Sequence, residues 1–342
     1  MTKTIRTLRE FFKLYKKKTK PVIQKWIDGS SEYGHTTQRN RDVFRKISLI
    51  PRFLKDINNA DTKSTYFGQS ISAPLIICPM GGLTQFHKSA DHIISEASEI
   101  FQLPYFFPDN TAFELSDMNK NKKKYIQSYF HLDNNFEFCK MRIDQAEKHK
   151  CRTIGINVDS PIRSISYNKT DTGYDARKHY LRLPKYYHRK KSTPLNWKTL
   201  EKIRRYTNKP LILKGILSVE DALIAQKVGI NAIWVSNHGG RALETDITGL
   251  ERIEPIREKL NSKVKLIVDG GIRTGTDIIK CLSIGADYVA IGRPLIYGII
   301  VDKKSGAKRT LELFLEELKT SLRLSGFKDI KSLSTKNILK NF

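Results

Sequence analysis

Residues 264–294 read VKLIVDGGIRTGTDIIKCLSIGADYVAIGRP, and this stretch decides the fold. A β-branched apolar run ends in Asp269 and two glycines, an amphipathic segment follows over about 275–284, and a second apolar run ends in Gly292 and Arg293. Strand, glycine turn, helix and second strand in so short a span form one parallel strand–helix–strand unit.

The same rhythm runs upstream. Short β-rich runs begin at Leu75 (LIICP), Leu103 (LPYFF), Tyr125 (YIQSY), Thr153 (TIGINVD), Pro210 (PLILKG) and Ala232 (AIWVS), which brings the strands to eight. Helices are predicted near 88–100, 112–120, 134–149, 197–207, 218–228, 247–260, 275–284 and 307–325. In the last, Leu311, Phe314, Leu315, Leu318 and Leu322 fall on one face by their spacing. Eight such units, with no repeated dinucleotide-binding half, predict an α/β chain closed as a (β/α)8 TIM barrel over 71–325. Residues 1–70 read as an N-terminal helical cover, with a helix over 6–27 broken or restarted at Pro21. Residues 160–196, between strands four and five, are polar, basic and rich in tyrosine, an irregular loop excursion suited to a lid, a partner surface or a tether. The whole of 1–342 reads as a single domain.

Composition bounds the function. Of 342 residues, 61 are Lys or Arg and 35 Asp or Glu, a formal charge of +26. Hydrophobic residues at 39% exclude wholesale disorder, and 4 cysteines are too few for a disulfide scaffold. Cys78, Cys139, Cys151 and Cys281 form no CxxC pair and suit no zinc template, so no metal is expected and they read as buried thiols of a reducing, cytoplasmic compartment. The basic N-terminus lacks the uninterrupted apolar core of a secretory signal, and no stretch nears the roughly 18 apolar residues of a membrane span. The basic groups Lys16–Lys18, Lys122–Lys124 and Arg189–Lys191 lie far apart. That distribution describes a solvated lysine-biased surface better than a nucleic-acid-binding tail.

A barrel places its chemistry at the C-terminal ends of its strands. Gln127 and Tyr129, Asn157 and Asp159, Lys214, Ser236 with His238, and Asp269 all fall there. In VSNHGGRALE, His238 can cycle between base and acid near neutral pH, and Arg241 can hold a carboxylate bidentately. In DGGIRTGTD and the following GRP, Gly271, Arg273, Gly292 and Arg293 suit a phosphate at the loops after strands seven and eight. Lys214 at a crowded barrel mouth needs an anionic partner. It suits a Schiff base or a cation beside a flavin ring equally well. No strand is followed by GxGxxG, which argues against a nicotinamide dinucleotide.

The segments IPRFLKDINNADTKSTYFGQSISAPLIICP, IQSYFHLD, INVDSP, LILKG, VSNHGGRALE, DGGIRTGTD, IGRP and LSGFKDIKSLS occur in order over about 8–335. On these the chain resembles the FMN-dependent α-hydroxy acid oxidase and dehydrogenase family, which includes glycolate oxidases, lactate oxidases and flavocytochrome lactate dehydrogenases. The resemblance implies FMN as cofactor and a homotetramer. It makes His238 the base, Asp159 its carboxylate partner, Arg241 the substrate-carboxylate clamp and Tyr129 a hydroxyl near the substrate oxygen. Lys214 becomes the cation near flavin N1 and O2. Gln127, Asn157 and Ser236 fall at flavin contacts, Asp269 at the ribityl contact, and Gly271, Arg273, Gly292 and Arg293 at the phosphate. Pro79, Met80 and Gly81 fall where backbone lines the isoalloxazine.

Departures gather on the substrate side. Lys25, or Trp26 with the register shifted by one, stands where the family has a substrate-binding tyrosine, and Ser166 where it has a second carboxylate-binding arginine, with Arg163 nearby. The LSSWATSS-like stretch has become YFFPDNTA with Pro108, Asn157 replaces a threonine, and Glu244 an aspartate. The leading expectation is an enzyme that oxidises a lactate- or glycolate-like L-2-hydroxy acid to the 2-oxo acid. The alternatives are FMN-dependent oxidation of a larger peptide-derived or specialised metabolite, or a non-catalytic flavin-binding or nucleic-acid-associated scaffold. An acidic substrate would suit the positive surface.

Overall fold

The computed structural model describes residues 4–58, 60–119, 123–162, 164–167 and 195–341. Most of the 160–196 excursion, Arg163, Lys122 and Arg189–Lys191 lie outside the described residues.

Strands form on the short β-branched and aromatic runs. β1 (Ile47–Leu49), β2 (Ser64–Tyr66) and β3 (Gln69–Ile71) come first. The next eight are β4 (Leu75–Ile77), β5 (Tyr105–Phe107), β6 (Ile126–His131), β7 (Ile154–Asn157), β8 (Leu211–Ile216), β9 (Ala232–Val235), β10 (Lys265–Val268) and β11 (Tyr288–Ile291). They close into one parallel barrel in which β4 pairs with both β5 and β11. All eight match the predicted runs. β4, β5, β7, β9 and β11 are buried along their whole length, which is why they read as continuous apolar runs rather than alternations. β12 (Ile338–Lys340) pairs antiparallel with β1.

The barrel interior is packed with Ile76, Phe106, Tyr129, Ile212, Trp234 and Ile267. Its N-terminal end is plugged by the β2–β3 hairpin, a feature with no counterpart in the predicted elements. Tyr66 from that hairpin is fully buried and shares a 2.7 Å hydrogen bond with Thr153 Oγ1, while the Tyr288 hydroxyl donates to the carbonyl of Thr65 at 2.7 Å.

The outer helices follow the expected order, with two changes. The helix expected over 112–120 spans only Leu115–Met118, set by the reciprocal cap between Glu114 and Asp117. The last begins at Arg293 instead of near 307, because Pro294 is accommodated in a first helical turn, and it breaks at Asp302 and Lys303, whose backbone angles are not helical. The cover holds two helices, Leu8–Lys18 and Pro21–Ile27, followed by His35–Asp42. Phe11 and Tyr15 are buried, and Tyr15 stacks on Tyr297 at 4.4 Å, so the cover is fixed to the helix that leaves β11. Among the described residues no helix is long and apolar enough to cross a membrane. Cys139, Cys151 and Cys281 are buried free thiols, and Cys78 is partly exposed.

Candidate active site

A cavity opens at the C-terminal ends of the barrel strands. Its wall comprises Pro79–Gly81 after β4, Pro108 and Asn110 after β5, Tyr129 and His131 on β6, and Lys214 on β8. It continues with His238, Gly239 and Arg241 after β9, Asp269–Arg273 after β10, and Gly292 and Arg293 after β11, under Trp26 and Ile27 of the cover. Residues from seven barrel strands therefore meet in one place, as barrel geometry requires.

His238 has a left-handed backbone (φ 56°), followed by Gly239 (φ 64°) and Gly240 (φ 76°). Such conformations are uncommon for a non-glycine residue and cost free energy that the surroundings must supply. Here Thr37 Oγ1 donates to the carbonyl of Gly239 at 3.1 Å, and the His238 N–H donates to Ser236 Oγ at 3.0 Å. His238 Nδ1 lies 2.7 Å from Asp159 Oδ1. An ionised carboxylate only accepts, so Nδ1 carries the proton and Nε2 is left as the basic nitrogen.

The electrostatics fit that tautomer. Burial lowers the pKa of His238, and Lys214 adds to the effect against the pull of Asp159, so the imidazole is held toward its neutral form. Burial alone would raise Asp159, but His238 and Lys214 overcome it and hold the carboxyl well below the usual carboxylate range. Space for Asp159 comes from β8, where the pairing with β9 shifts register between Lys214 and Ile216 and Gly215 takes φ 109°.

Lys214 is the hub of the interior. Its Nζ donates to Ser236 Oγ at 3.0 Å and lies 3.7 Å from both Asp159 Oδ2 and Asp269 Oδ2. Ser236 in turn donates to Asp269 Oδ1 at 2.7 Å. Burial opposes the charge on Lys214, but the two carboxylates outweigh it and raise its pKa. A lysine held cationic is no amine nucleophile at neutral pH, so a Schiff base is disfavoured and a charge-stabilising role is favoured. Trp234 completes the cluster: its Nε1–H donates to Asp269 Oδ2 at 3.0 Å, and its ring lies 5.7 Å from Lys214 Nζ.

At the other end, burial lowers the Arg293 pKa, and the nearby Arg273 guanidinium adds to the effect. Arg273 donates to the carbonyl of Ile272 and Arg293 to that of Gly239. Two half-buried guanidiniums bonded to carbonyls, with Gly270 and Gly271 in left-handed turns beside them, form a donor set for a dianion. The set fits the phosphate of FMN. The neighbouring cationic Lys214 and the backbone of Pro79–Gly81 fit its ring.

Arg241 has a second task. Its Nη1 donates to the carbonyls of Trp26, Ile27 and Gly29, and its guanidinium lies 5.3 Å from the Trp26 ring. It thereby caps the helix Pro21–Ile27. Nη2 makes one further bond to Trp26, so the Nε–H and one Nη2–H remain for a carboxylate. Burial lowers the pKa of Arg241 to about 10, which leaves it charged at neutral pH.

Not every expected residue meets the cavity. Lys25 is exposed and outside the wall; Trp26 and Ile27, the next two positions around the helix, face the cavity instead. This corrects the placement of Lys25 at the substrate. Gln127 and Asn157 are buried behind the wall. Gln127 Oε1 accepts from the Thr153 backbone N–H at 2.9 Å, and Asn157 Oδ1 accepts from the Tyr129 hydroxyl at 2.6 Å. Ser166 donates to the carbonyl of Ser30 at 2.8 Å, and Glu244 accepts from the N–H groups of Tyr33, Gly34 and Thr36, so both brace the cover. Sequence reasoning reached Trp26 only through a shifted register, and it missed Trp234, His131 and Asp109. His131 in IQSYFHLD was the one detectable from alternation, since it continues the inward series Gln127, Tyr129.

Comparison with known proteins gives the family and the fold. The family described as FMN-dependent dehydrogenase matches residues 15–340. The chain is 31% identical over 337 residues to an L-lactate oxidase of Lysinibacillus sphaericus, covering 90% of this chain and 85% of that one. It is 31% identical over 327 residues to 2-hydroxyacid oxidase 2 of Mus musculus, covering 90% and 91%. A crystal structure of a mandelate oxidase superposes with a TM-score of 0.90 at 25% identity, covering 99% of each chain.

Proposed function

The chain belongs to the FMN-dependent dehydrogenase family and carries out FMN-dependent oxidation of a 2-hydroxy acid; from that premise we propose that its substrate is an L-2-hydroxy acid, converted to the 2-oxo acid with His238 as base. FMN, when bound, takes up the two electrons released at the substrate carbon. The observation that carries the reading is the 2.7 Å contact between His238 Nδ1 and Asp159 Oδ1. It leaves Nε2 as a proton acceptor on the cavity side of a neutral ring, and the ionised Asp159 stabilises the imidazolium that forms.

The remaining residues orient and polarise. Arg241 meets the substrate carboxylate through its two remaining donors. The Tyr129 hydroxyl donates its hydrogen bond to Asn157 Oδ1, so its oxygen is an acceptor for the substrate hydroxyl. Lys214 holds positive charge under the reacting atoms. Arg273 and Arg293 bind the cofactor phosphate. Family membership is the basis for proposing a homotetramer, and the free cysteines for proposing a reducing, cytoplasmic compartment.

Anaerobic mixing of the FMN-loaded protein with a panel of L-2-hydroxy acids tests the reading. Bleaching of the flavin is expected with members of the panel; no bleaching with any of them overturns it.

A further inference from the structure

The loop that carries the base and the loop with the phosphate donors both press on one residue of the cover. Asn40, on the helix His35–Asp42, is buried, and so is Asn237, the residue before His238. Their side-chain amides close on each other: Asn40 Nδ2 donates to Asn237 Oδ1 at 3.0 Å, and Asn237 Nδ2 donates to Asn40 Oδ1 at 2.9 Å. Asn237 Nδ2 also donates to the carbonyl of Ile247 at 2.8 Å, and its Oδ1 accepts the Gly240 N–H at 3.2 Å. All four hydrogen-bonding positions of Asn237 are thus used, and the Ile247 and Gly240 bonds fix which end of the amide is which. Gly240 belongs to the left-handed turn that begins at His238, so the amide pair braces that turn from within.

Asn40 also lies against the phosphate loop. A β-carbon on Gly270 would stand 3.0 Å from Asn40 Oδ1, and one on Gly271 would stand 1.6 Å from the Asn40 carbonyl oxygen. Glycine at both positions, with φ 100° and 80°, lets that loop close on this one residue. The two loops follow the adjacent parallel strands β9 and β10, and Asn40 sits where they meet. By hydrogen bonds Asn237 reaches the phosphate loop only through Asn40, since its other partners are Gly240 and Ile247. Truncating Asn40 strips a buried donor and a buried acceptor of Asn237 of their partners, which favours rearrangement of the turn that holds them.

We propose that Asn40 is a positioning residue that couples binding of the cofactor phosphate to the placement of His238. The phosphate loop and the His238 turn keep their working geometry together, through the Asn40–Asn237 pair, or lose it together. This rests on the reading that puts the phosphate at Arg273 and Arg293 and makes His238 the base.

The test is a double-mutant cycle on the FMN-loaded protein with Asn40→Ala, Asn237→Ala and the two combined. It is read by equilibrium dialysis of FMN and by the rate at which a 2-hydroxy acid reduces the bound flavin. Each single change should raise the FMN Kd by about tenfold and slow reduction by about tenfold, and the combined protein should be no worse than either. Losses that multiply overturn the proposal. So does a lowered Tm with Kd and rate unchanged, the signature of a structural role alone. Should an alanine variant fail to fold, Asn40→Asp keeps the size of the side chain and its acceptor for Asn237 Nδ2 while setting a negative charge beside Gly270. It should raise the FMN Kd, and more at low salt than at high salt, whereas an unchanged Kd overturns the proposal equally. His238→Gln is measured alongside. Reduction at the parent rate in that variant sinks the base assignment and leaves the FMN Kd cycle to decide the coupling; slow reduction there, with losses that multiply in the cycle, sinks the coupling alone.

Discussion

A β-carbon on Gly215 would lie 2.4 Å from the β-carbon of Asp159, so the carboxylate that orients His238 occupies space that only glycine leaves open. Gly215→Ala adds a clash and places a side chain at φ 109°. Flavin reduction should slow by about tenfold or more as Asp159 is displaced, since small misplacements are costly in catalysis. Stopped-flow absorbance measures the rate; an unchanged one removes Gly215 as the support of Asp159.

His238→Gln should keep FMN but reduce its flavin ~100-fold or more slowly, the usual contribution of a positioned base. In the unsubstituted enzyme kcat/KM should hold steady above pH ~6.5, the ordinary histidine value, and fall only further to the acid side, because burial lowers the His238 pKa. Asp159→Asn removes the charge that pulls this pKa upward. Its acid limb should therefore move to still lower pH even as the rate drops. A limb that moves upward contradicts the assignment.

Arg273→Ala tests the cofactor end with little collateral change, since its recorded bond is to the carbonyl of Ile272. The Kd for FMN should rise by roughly 10–100-fold, the range for losing a hydrogen bond to a charged group. Equilibrium dialysis reads it, and an unaltered Kd would place the phosphate elsewhere. Arg293→Ala should also disturb the His238 turn, because Arg293 donates to the carbonyl of Gly239.

Asn157→Thr should release the Tyr129 hydroxyl from its 2.6 Å bond. With that proton free to meet the substrate oxygen, KM for a 2-hydroxy acid should change by severalfold while FMN affinity stays constant. A change confined to FMN affinity would show that Asn157 serves the cofactor instead.

Asp91 is fully buried where helix Ala90–Ile100 begins, accepts from Thr111 Oγ1 at 3.1 Å, and is pushed by burial to a pKa of about 7. The folded value exceeds the unfolded one, so the stabilisation is complete below pH ~4 and is lost as pH rises through about 7. Asp91→Asn should consequently be more stable than the parent at pH 8, by on the order of 2–4 kcal/mol, with the gap closing near pH 4. Melts across pH check it; a Tm difference independent of pH rules the linkage out.

The barrel was legible because burial on both faces makes its strands continuous apolar words, and because polar residues stand at their ends. The β2–β3 hairpin was not: three-residue strands give too little alternation to detect, and Tyr66 acquires its purpose only from Thr153, far along the chain. His238 and Asp159 were legible from the family resemblance, but not the bulge at Gly215 that admits them to one site. Lys25 was misplaced because neighbouring residues on a helix differ by about 100° in direction, so a shift of one position turns a wall residue into an exposed one. The Asp109–His131 pair joins the ends of adjacent strands, 22 residues apart, with no periodicity to link them.

The antiparallel pairing of Ile47 with Lys340 has a consequence for how the protein is made. A strand synthesised early must wait for one synthesised nearly 300 residues later, so the cover cannot finish docking while the chain is still being extended. Contacts of such long sequence separation form slowly. A nascent chain should therefore carry a nearly complete barrel beneath an unlatched N-terminal segment, and competence for turnover should arrive only after residue 340 has left the ribosome.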